Sequence, residues 1–294
     1  MTRPSGDADY ARIGPGYARR RRPDPRIAAL IHHALGSART VLNVGAGAGS
    51  YEPTDRAVVA VEPAEPMIAQ RASDLSPAVR AVAGALPLAD GTVDAAMATV
   101  TVHQWPDPIA GLLEMRRVTT GPIVILTFDP EELDRLWIGE YAPDLIEVES
   151  RRYPKIAAMA GALGPDTTVE PVAIPLDCRD GFTEAFYGRP EAFLDPSVRR
   201  SQSAWSFLDR GAEERAVEAL AADLGSGRWD RRHGHLRTQE RFEGAVRLVV
   251  NGGRPGRTGQ AAPRPGATPG RRASSMTTSR TIPGSAAWRA TRTW

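Results

Sequence analysis

Gly45, Gly47 and Gly49 alternate directly behind the apolar run Thr40–Val44, with Asn43 two residues ahead of the first of them. Eight residues after Gly49 a second apolar run, Ala57–Val61, begins, and it is followed at once by Glu62. Glycines at the end of a strand let the backbone approach a ligand closely. A carboxylate at the end of the next strand can accept hydrogen bonds from ribose hydroxyls. Together these residues predict a site for an adenosine-containing cofactor in an open α/β sheet.

The spacing selects among such cofactors. The dinucleotide fingerprint G-x-G-x-x-G puts its third glycine where this chain has Ser50. A dinucleotide also rests its pyrophosphate on the N-terminus of a helix after the turn. Here only residues 50–56, Pro53 among them, precede the next strand, room for about two helical turns at most. S-adenosylmethionine has no pyrophosphate and does not need that helix.

At this point the chain resembles the class I S-adenosylmethionine-dependent methyltransferases. Residues 43–49 are similar to their first motif, D/E-x-G-x-G-x-G, with Asn43 in place of the acid, and residues 59–67 are similar to their second. Residues 85–94 and 99–108 resemble the type 11 branch, which includes the ubiquinone/menaquinone C-methyltransferase-like enzymes, and residues 111–118 and 122–128 continue in register. The likeness is good over about residues 10–130 and loose over 165–252; four ordered motifs are far more specific than one glycine loop.

The resemblance implies roles for particular residues. Asn43, Gly45, Gly47, Gly49 and Glu62 would bind the cofactor, with Ala85 and Leu86 flanking adenine and a backbone N–H reading its edge. In the lead-in, Tyr10, Tyr17, Arg19 and Arg22 lie where similar proteins close a tyrosine and a basic residue over the cofactor; Tyr17 would be the contact, and an arginine could pair with the methionine carboxylate, a solvated run over Arg19–Arg22 being the other reading. His103 is the candidate general base, its ordinary pKa lying near 6.5; ordering the loop beside Trp105 is its other role, since positioning alone can supply much of a methyl-transfer rate. Trp105, Asp177 and Arg179 would line the substrate pocket; for the charged run 177–182 an internal salt bridge is the other, commoner reading.

The elements that must position these residues alternate. A helix begins near Pro25, with Ile27, Leu30, Ile31, Ala34 and Leu35 at helical spacing and Gly36 as its stop. Strands are predicted at 40–44, 57–61, 79–84, 93–99 and 123–128, with helices at 66–73 and 108–118, a pattern that implies a parallel sheet covered on both faces. Beyond Asp129, helices are predicted at 131–142, 155–163 and, with breaks, 190–222, and strands at 168–175 and 245–251. The fold class is therefore α/β: a doubly wound, seven-stranded, mostly parallel Rossmann-like sheet. The resemblance adds an antiparallel edge hairpin and helical cap insertions over the substrate. The organisation follows: 1–36 lead-in and lid helix, 37–130 cofactor-binding core, 131–252 cap and last two strands, 253–294 tail.

Composition sets bounds. The 294 residues are 41% hydrophobic, enough for one decorated α/β domain. No window approaches the roughly 18 apolar residues of a membrane span, and residues 1–7 lack an apolar signal core, so a cytoplasmic protein with no membrane partner is expected. Cys178 is the single cysteine, which excludes an internal disulfide and a cysteine-based metal site. His233 and His235, at i and i+2 without an acidic ligand pattern, predict a turn and not a zinc site; no metal is expected. The tail carries eight Arg and no Lys, Asp or Glu, so the overall charge of +2 leaves residues 1–252 at −6 and gives little support for a nucleic-acid partner. Its composition predicts disorder, and its style suggests a frame-shifted or otherwise non-native end; a basic arm is the competing reading.

The expected function is methyl transfer from S-adenosylmethionine, leaving S-adenosylhomocysteine, to an oxygen, nitrogen or carbon nucleophile of a small molecule by in-line displacement. Two other readings stand beside it: a non-catalytic protein that binds either form of the cofactor, and a nicotinamide-dependent oxidoreductase, against which Ser50 and the shortened helix count.

Overall fold

The computed structural model describes residues 20–252. Expectations that fall on residues 1–19, Tyr10, Tyr17 and Arg19 among them, and on the tail 253–294 lie outside the described residues.

Helix α1 (Pro25–Ala34) starts on proline, whose fixed φ suits the first turn, while the Asp24 side chain accepts from the Arg26 amide at 3.0 Å. Ile27 and Ile31 are buried, and the chain turns at Gly36 with φ +59°. Then come β1 (Thr40–Val44), β2 (Ala57–Val61), α2 (Glu65–Ile68), β3 (Ala78–Val79), β4 (Ala95–Thr99), α3 (Pro108–Val118) and β5 (Ile123–Phe128). The remainder holds α4 (Pro143–Arg152), α5 (Ile156–Leu163), β6 (Thr167–Pro171), β7 (Ile174–Pro175), α6 (Pro196–Arg200), α7 (Arg210–Gly225), α8 (Arg228–His233), β8 (Arg241–Phe242) and β9 (Val246–Asn251), with short 3₁₀ turns between.

Seven strands form one sheet in the order β3-β2-β1-β4-β5-β9-β6. All neighbours pair parallel except β9, which runs antiparallel to both β5 and β6. From β1 the chain winds outward to β2 and β3 on one side, then returns to β4 and β5 on the other. Such a reversal opens a crevice at the carboxyl ends of β1 and β4.

Alternation along the strands feeds two separate cores. Val41, Met97, Val124 and Leu126 pack with Ile27 and Ile31 of α1, with Leu35 just after it, and with the cap. Their neighbours Leu42, Ala96, Ala98, Ile123 and Ile125 pack on the opposite face with Leu112 and Met115 of α3 and Met159 and Leu163 of α5. Both faces being covered explains why these strands read as continuous apolar runs.

Several expected elements are shorter or different. The strand at 79–84 is confined to Ala78–Val79, because Val82 and Ala85 close a tight turn (Ala85 N to Val82 O, 3.1 Å). The helix at 131–142 becomes two 3₁₀ turns, Leu133–Arg135 and Trp137–Glu140, separated by extended Leu136. There the burial of Leu133, Leu136, Trp137 and Ile138, and the bond from Trp137 Nε1 to Tyr187 O (2.7 Å), set the path. The strand at 168–175 is split: β6 stays on the main sheet and β7 pairs with β8. Residues 228–233 are helical, with Trp229 fully buried, not the turn expected there.

Candidate active site

The glycine loop leaves β1 in a left-handed path. Gly45 has φ +70° and Gly49 φ +98°, values open to glycine and strained for other residues. A Cβ at Gly45 would collide with the Thr101 side chain, and one at Gly49 with Leu75. The amides of Gly45 and Ala46 both donate to Val61 O (2.8 and 3.0 Å), so the loop folds back over the end of β2. No helix follows: residues 50–56 are turns and irregular backbone, with Tyr51 at φ +64°.

Glu62 closes the loop from the other side. One carboxylate oxygen accepts from the Gly47 amide and the other from the Ala64 amide, both at 2.8 Å. The side chain is buried, and burial raises its pKa above the ordinary carboxylate value, offset by those two amides and the nearby Arg71 charge. Ribose-type hydroxyls arriving in the crevice would add donors to a carboxylate that is short of solvation.

Asn43 does not face the crevice. It is fully buried behind the loop, where its Nδ2 donates to Glu52 Oε1 at 3.0 Å. Glu52 forms a buried ion pair with Arg71 (2.8 Å), and Arg71 also donates to Gly47 O (3.3 Å) and Ser76 O (2.8 Å). The expectation that Asn43 binds the cofactor is therefore corrected: its Nδ2 is spent on Glu52, and the group it orients braces the loop where a helix would ordinarily sit. An ion pair between positions 52 and 71 has no local sequence pattern that announces it.

A crevice, open to solvent at its mouth, lies over the loop. Gly45 to Ala48 form its floor, Glu62, Pro63 and Met67 one side, and Val82, Ala83, Trp105 and Pro106 the other. The apolar wall thus comes from Val82 and Ala83, not from Ala85 and Leu86. The turn at 82–85 leaves Ala85 exposed, while Leu86 packs into the core and its amide is taken by Glu114 (3.0 Å). Trp105 lies over Gly111 of α3 and faces this crevice.

At the far end the crevice is closed by Arg21, Tyr51 and Asp180. Asp180 is buried; its carboxylate accepts from Arg21 Nε at 2.6 Å and from the Tyr51 hydroxyl at 2.9 Å. Asp177 and Arg179, expected to line a pocket, do not: Asp177 points outward to Arg26 (2.7 Å), and Arg179 is exposed. Between them Cys178 is buried, and burial pushes its thiol up to about 12, so it is held protonated. The charged run is amphipathic, and its inward carboxylate is Asp180.

A second chamber adjoins the first. Arg21, Val100 and Gln104 line both. Val100 has φ +50°, an unusual conformation for a β-branched residue that costs roughly 1–3 kcal/mol; such strain at a junction of two cavities marks a constrained site. The second chamber is walled by Phe128, Leu133, Leu136, Leu145, Tyr153 and Phe182, with His103, Glu184 and Gln202 as polar groups. His103 sits here, on the 3₁₀ turn Val102–Gln104, packed on Tyr153 at 4.4 Å between ring centroids. Burial, and then the charges of Arg152 and Arg21, hold its pKa well below the usual histidine value, so the imidazole is neutral near pH 7. Trp105, expected to line the substrate pocket, and His103, the candidate base, line different chambers. Among the described residues, no three His, Cys, Asp or Glu side chains cluster as metal ligands would.

Residues 42–121 match a family model described as a methyltransferase domain. No curated protein matches the chain. Among solved structures it is similar to a putative methyltransferase from an antibiotic biosynthesis pathway of Anabaena variabilis, at 28% identity and a TM-score of 0.72 over 79% of this chain and 98% of that one. More distant likenesses in fold are a possible histamine N-methyltransferase from Thermotoga maritima (15% identity, TM-score 0.45, 83% and 92% of the two chains). Another is the geranyl diphosphate C-methyltransferase of Streptomyces coelicolor in complex with S-adenosyl-L-homocysteine (13%, 0.44, 78% and 80%).

Proposed function

We propose that this S-adenosylmethionine-dependent methyltransferase, whose methyltransferase domain spans residues 42–121, holds its cofactor in the glycine-loop crevice and a small-molecule acceptor in the adjoining chamber. The observation that carries this is the shared wall: among the described residues Arg21, Val100 and Gln104 line both spaces, so the two border one another there. Residues 37–130 then act as the cofactor-binding core, and residues 131–252 supply the cap and the last strands.

Each residue has a task that follows from its surroundings. Gly45, Gly47 and Gly49 keep the crevice floor bare of side chains, and Glu62 offers its carboxylate to the ribose. Val82, Ala83 and Trp105 make the apolar wall against which adenine lies. Arg21, held by Asp180, provides the positive charge for the methionine carboxylate at the closed end. Bound S-adenosylmethionine supplies an electrophilic methyl on a sulfonium, and S-adenosylhomocysteine is left behind.

The transfer consumes charge, so the chain's contribution is alignment and exclusion of water more than stabilisation of an anion. Val100, held by its strained backbone and by the hydrogen bond from its amide to Leu126 O (2.8 Å), and Gln104 stand where the two spaces border, and the acceptor's approach is assigned to that border. His103, neutral and next to Gln104, can take a proton from an acceptor that loses one. No described helix is long and apolar enough to cross a membrane, and a cytoplasmic enzyme acting on a small molecule is the setting we propose.

Calorimetric titration with S-adenosylmethionine, S-adenosylhomocysteine and NAD tests this. Micromolar binding of the first two and none of NAD is expected. Binding of NAD alone would overturn the assignment, since residues 50–56 offer no helix N-terminus to a pyrophosphate.

A further inference from the structure

Glu184 is the buried group in the acceptor chamber that nothing so far explains. Its side chain is 2% exposed. One oxygen accepts from the Ala245 amide at 2.6 Å, and the other, Oε2, has no hydrogen-bond partner among the described residues. No ion pair reaches it there: Arg247 is spent on Asp129 (3.6 Å) and Glu132 (3.9 Å), and Arg135 on Glu132. A glutamine carbonyl would accept from the Ala245 amide as well, without the cost of burying a carboxylate. The other charges at the chamber are compensated, Arg21 by Asp180 and Glu149 by Arg152. Glu184 is the exception.

The walls around it are aromatic in sequence. His103 packs on Tyr153, Tyr153 on Phe128 (5.3 Å between centroids), and Phe128 edge-on against Phe182 (5.6 Å). Ring faces carry negative potential and attract cations, the more so when water is excluded. An uncompensated carboxyl oxygen beside a run of rings is the arrangement that recognises an organic cation bearing hydrogen-bond donors.

We propose that the second chamber is an amine site, in which Glu184 accepts hydrogen bonds from a protonated amino group on a compact, otherwise apolar acceptor packed against Phe128, Tyr153 and Phe182. This rests on the assignment of that chamber to the acceptor. The amino group is an anchor and need not be the atom methylated. Burial raises the Glu184 pKa to about 7, the amides of Ala245 and Val246 and the charges of Arg247 and Arg135 offsetting it only in part. A cationic partner is the interaction that would restore the carboxylate.

The test uses benzylamine, benzyl alcohol and toluene as probes, titrated by ligand-observed NMR into the full chain saturated with S-adenosylhomocysteine. Benzylamine is expected to bind at least tenfold more tightly than benzyl alcohol or toluene. In Glu184→Gln, which keeps an acceptor for Ala245 but removes the charge, that preference is expected to vanish while toluene is unaffected. Equal binding of benzylamine and benzyl alcohol to the wild-type protein would overturn the proposal without recourse to any variant, as would a preference that survives the substitution. Titration of S-adenosylhomocysteine in the same samples separates the two levels: retained cofactor binding with no amine preference sinks only the amine site, whereas no cofactor binding sinks the two-chamber assignment beneath it.

Discussion

Replacing Glu62 with glutamine removes one charge and almost no volume, and the structure says what else it removes. Each carboxylate oxygen of Glu62 now accepts one backbone N–H, from Gly47 and from Ala64, both at 2.8 Å. Glutamine can serve only one of them; the other N–H would face an NH₂ group, donor against donor. Losing a bond to a charged acceptor costs about 1.5–3 kcal/mol. Because burial already opposes ionisation of Glu62, relief of that desolvation pulls the stability cost to the lower end, about 1–2 kcal/mol. Cofactor affinity loses the ribose bonds as well, about 1–3 kcal/mol, or roughly 5- to 150-fold in Kd. Urea denaturation of the free protein gives the first quantity and calorimetric titration with S-adenosylhomocysteine the second. A loss of stability with affinity unchanged within twofold would refute the ribose role and leave Glu62 as a brace for the loop alone.

Other perturbations follow from the same geometry. Gly45→Ala puts a Cβ into the Thr101 side chain at a left-handed φ, so cofactor binding should be lost in titration even where the protein still folds; intact binding would show the loop is free to move. Arg71→Met strands the Glu52 carboxylate in a buried site, which should cost about 3–5 kcal/mol in denaturation midpoint analysis, and an effect below 1 kcal/mol would mean that the pair does not brace the loop. Glu184 carries a folded-state pKa near 7 against 4.5, so its contribution is fully present below about pH 4.5 and is lost as pH rises through 7. That loss amounts to roughly 3 kcal/mol at most. Denaturation at pH 5 and pH 8 should show the decline in the wild-type protein and a flatter profile in Glu184→Gln; parallel profiles would contradict it.

The parts of this molecule legible in the sequence were those whose determinants are local. Thr40–Val44, the three glycines, Ala57–Val61 and Glu62 lie within 23 consecutive residues, and the helix at Pro108–Val118 announces itself by its proline, its Asp107 cap and its apolar spacing. Errors arose where a neighbour in space decides. Asn43 turned from the crevice because Glu52 and Arg71 were there to receive it. Asp177, Arg179 and Asp180 share a run where adjacent side chains face opposite ways, and composition cannot say which of them turns inward. The wall at Val82 and Ala83 depended on a turn that ended β3 early. The acceptor chamber draws on positions from 21 to 203, so no window of sequence contains it. His103 was visible, but its partner in packing, Tyr153, and the lone carboxylate of Glu184 were not.

A crystal structure of the protein with S-adenosylhomocysteine bound is the most direct test of the two-chamber account. The account requires the ribose at Glu62, adenine between Val82, Ala83 and Trp105, and the sulfur at the junction of Arg21, Val100 and Gln104, facing the space lined by His103 and Tyr153. A nucleoside seated elsewhere, or a sulfur turned away from that junction toward solvent, would contradict it.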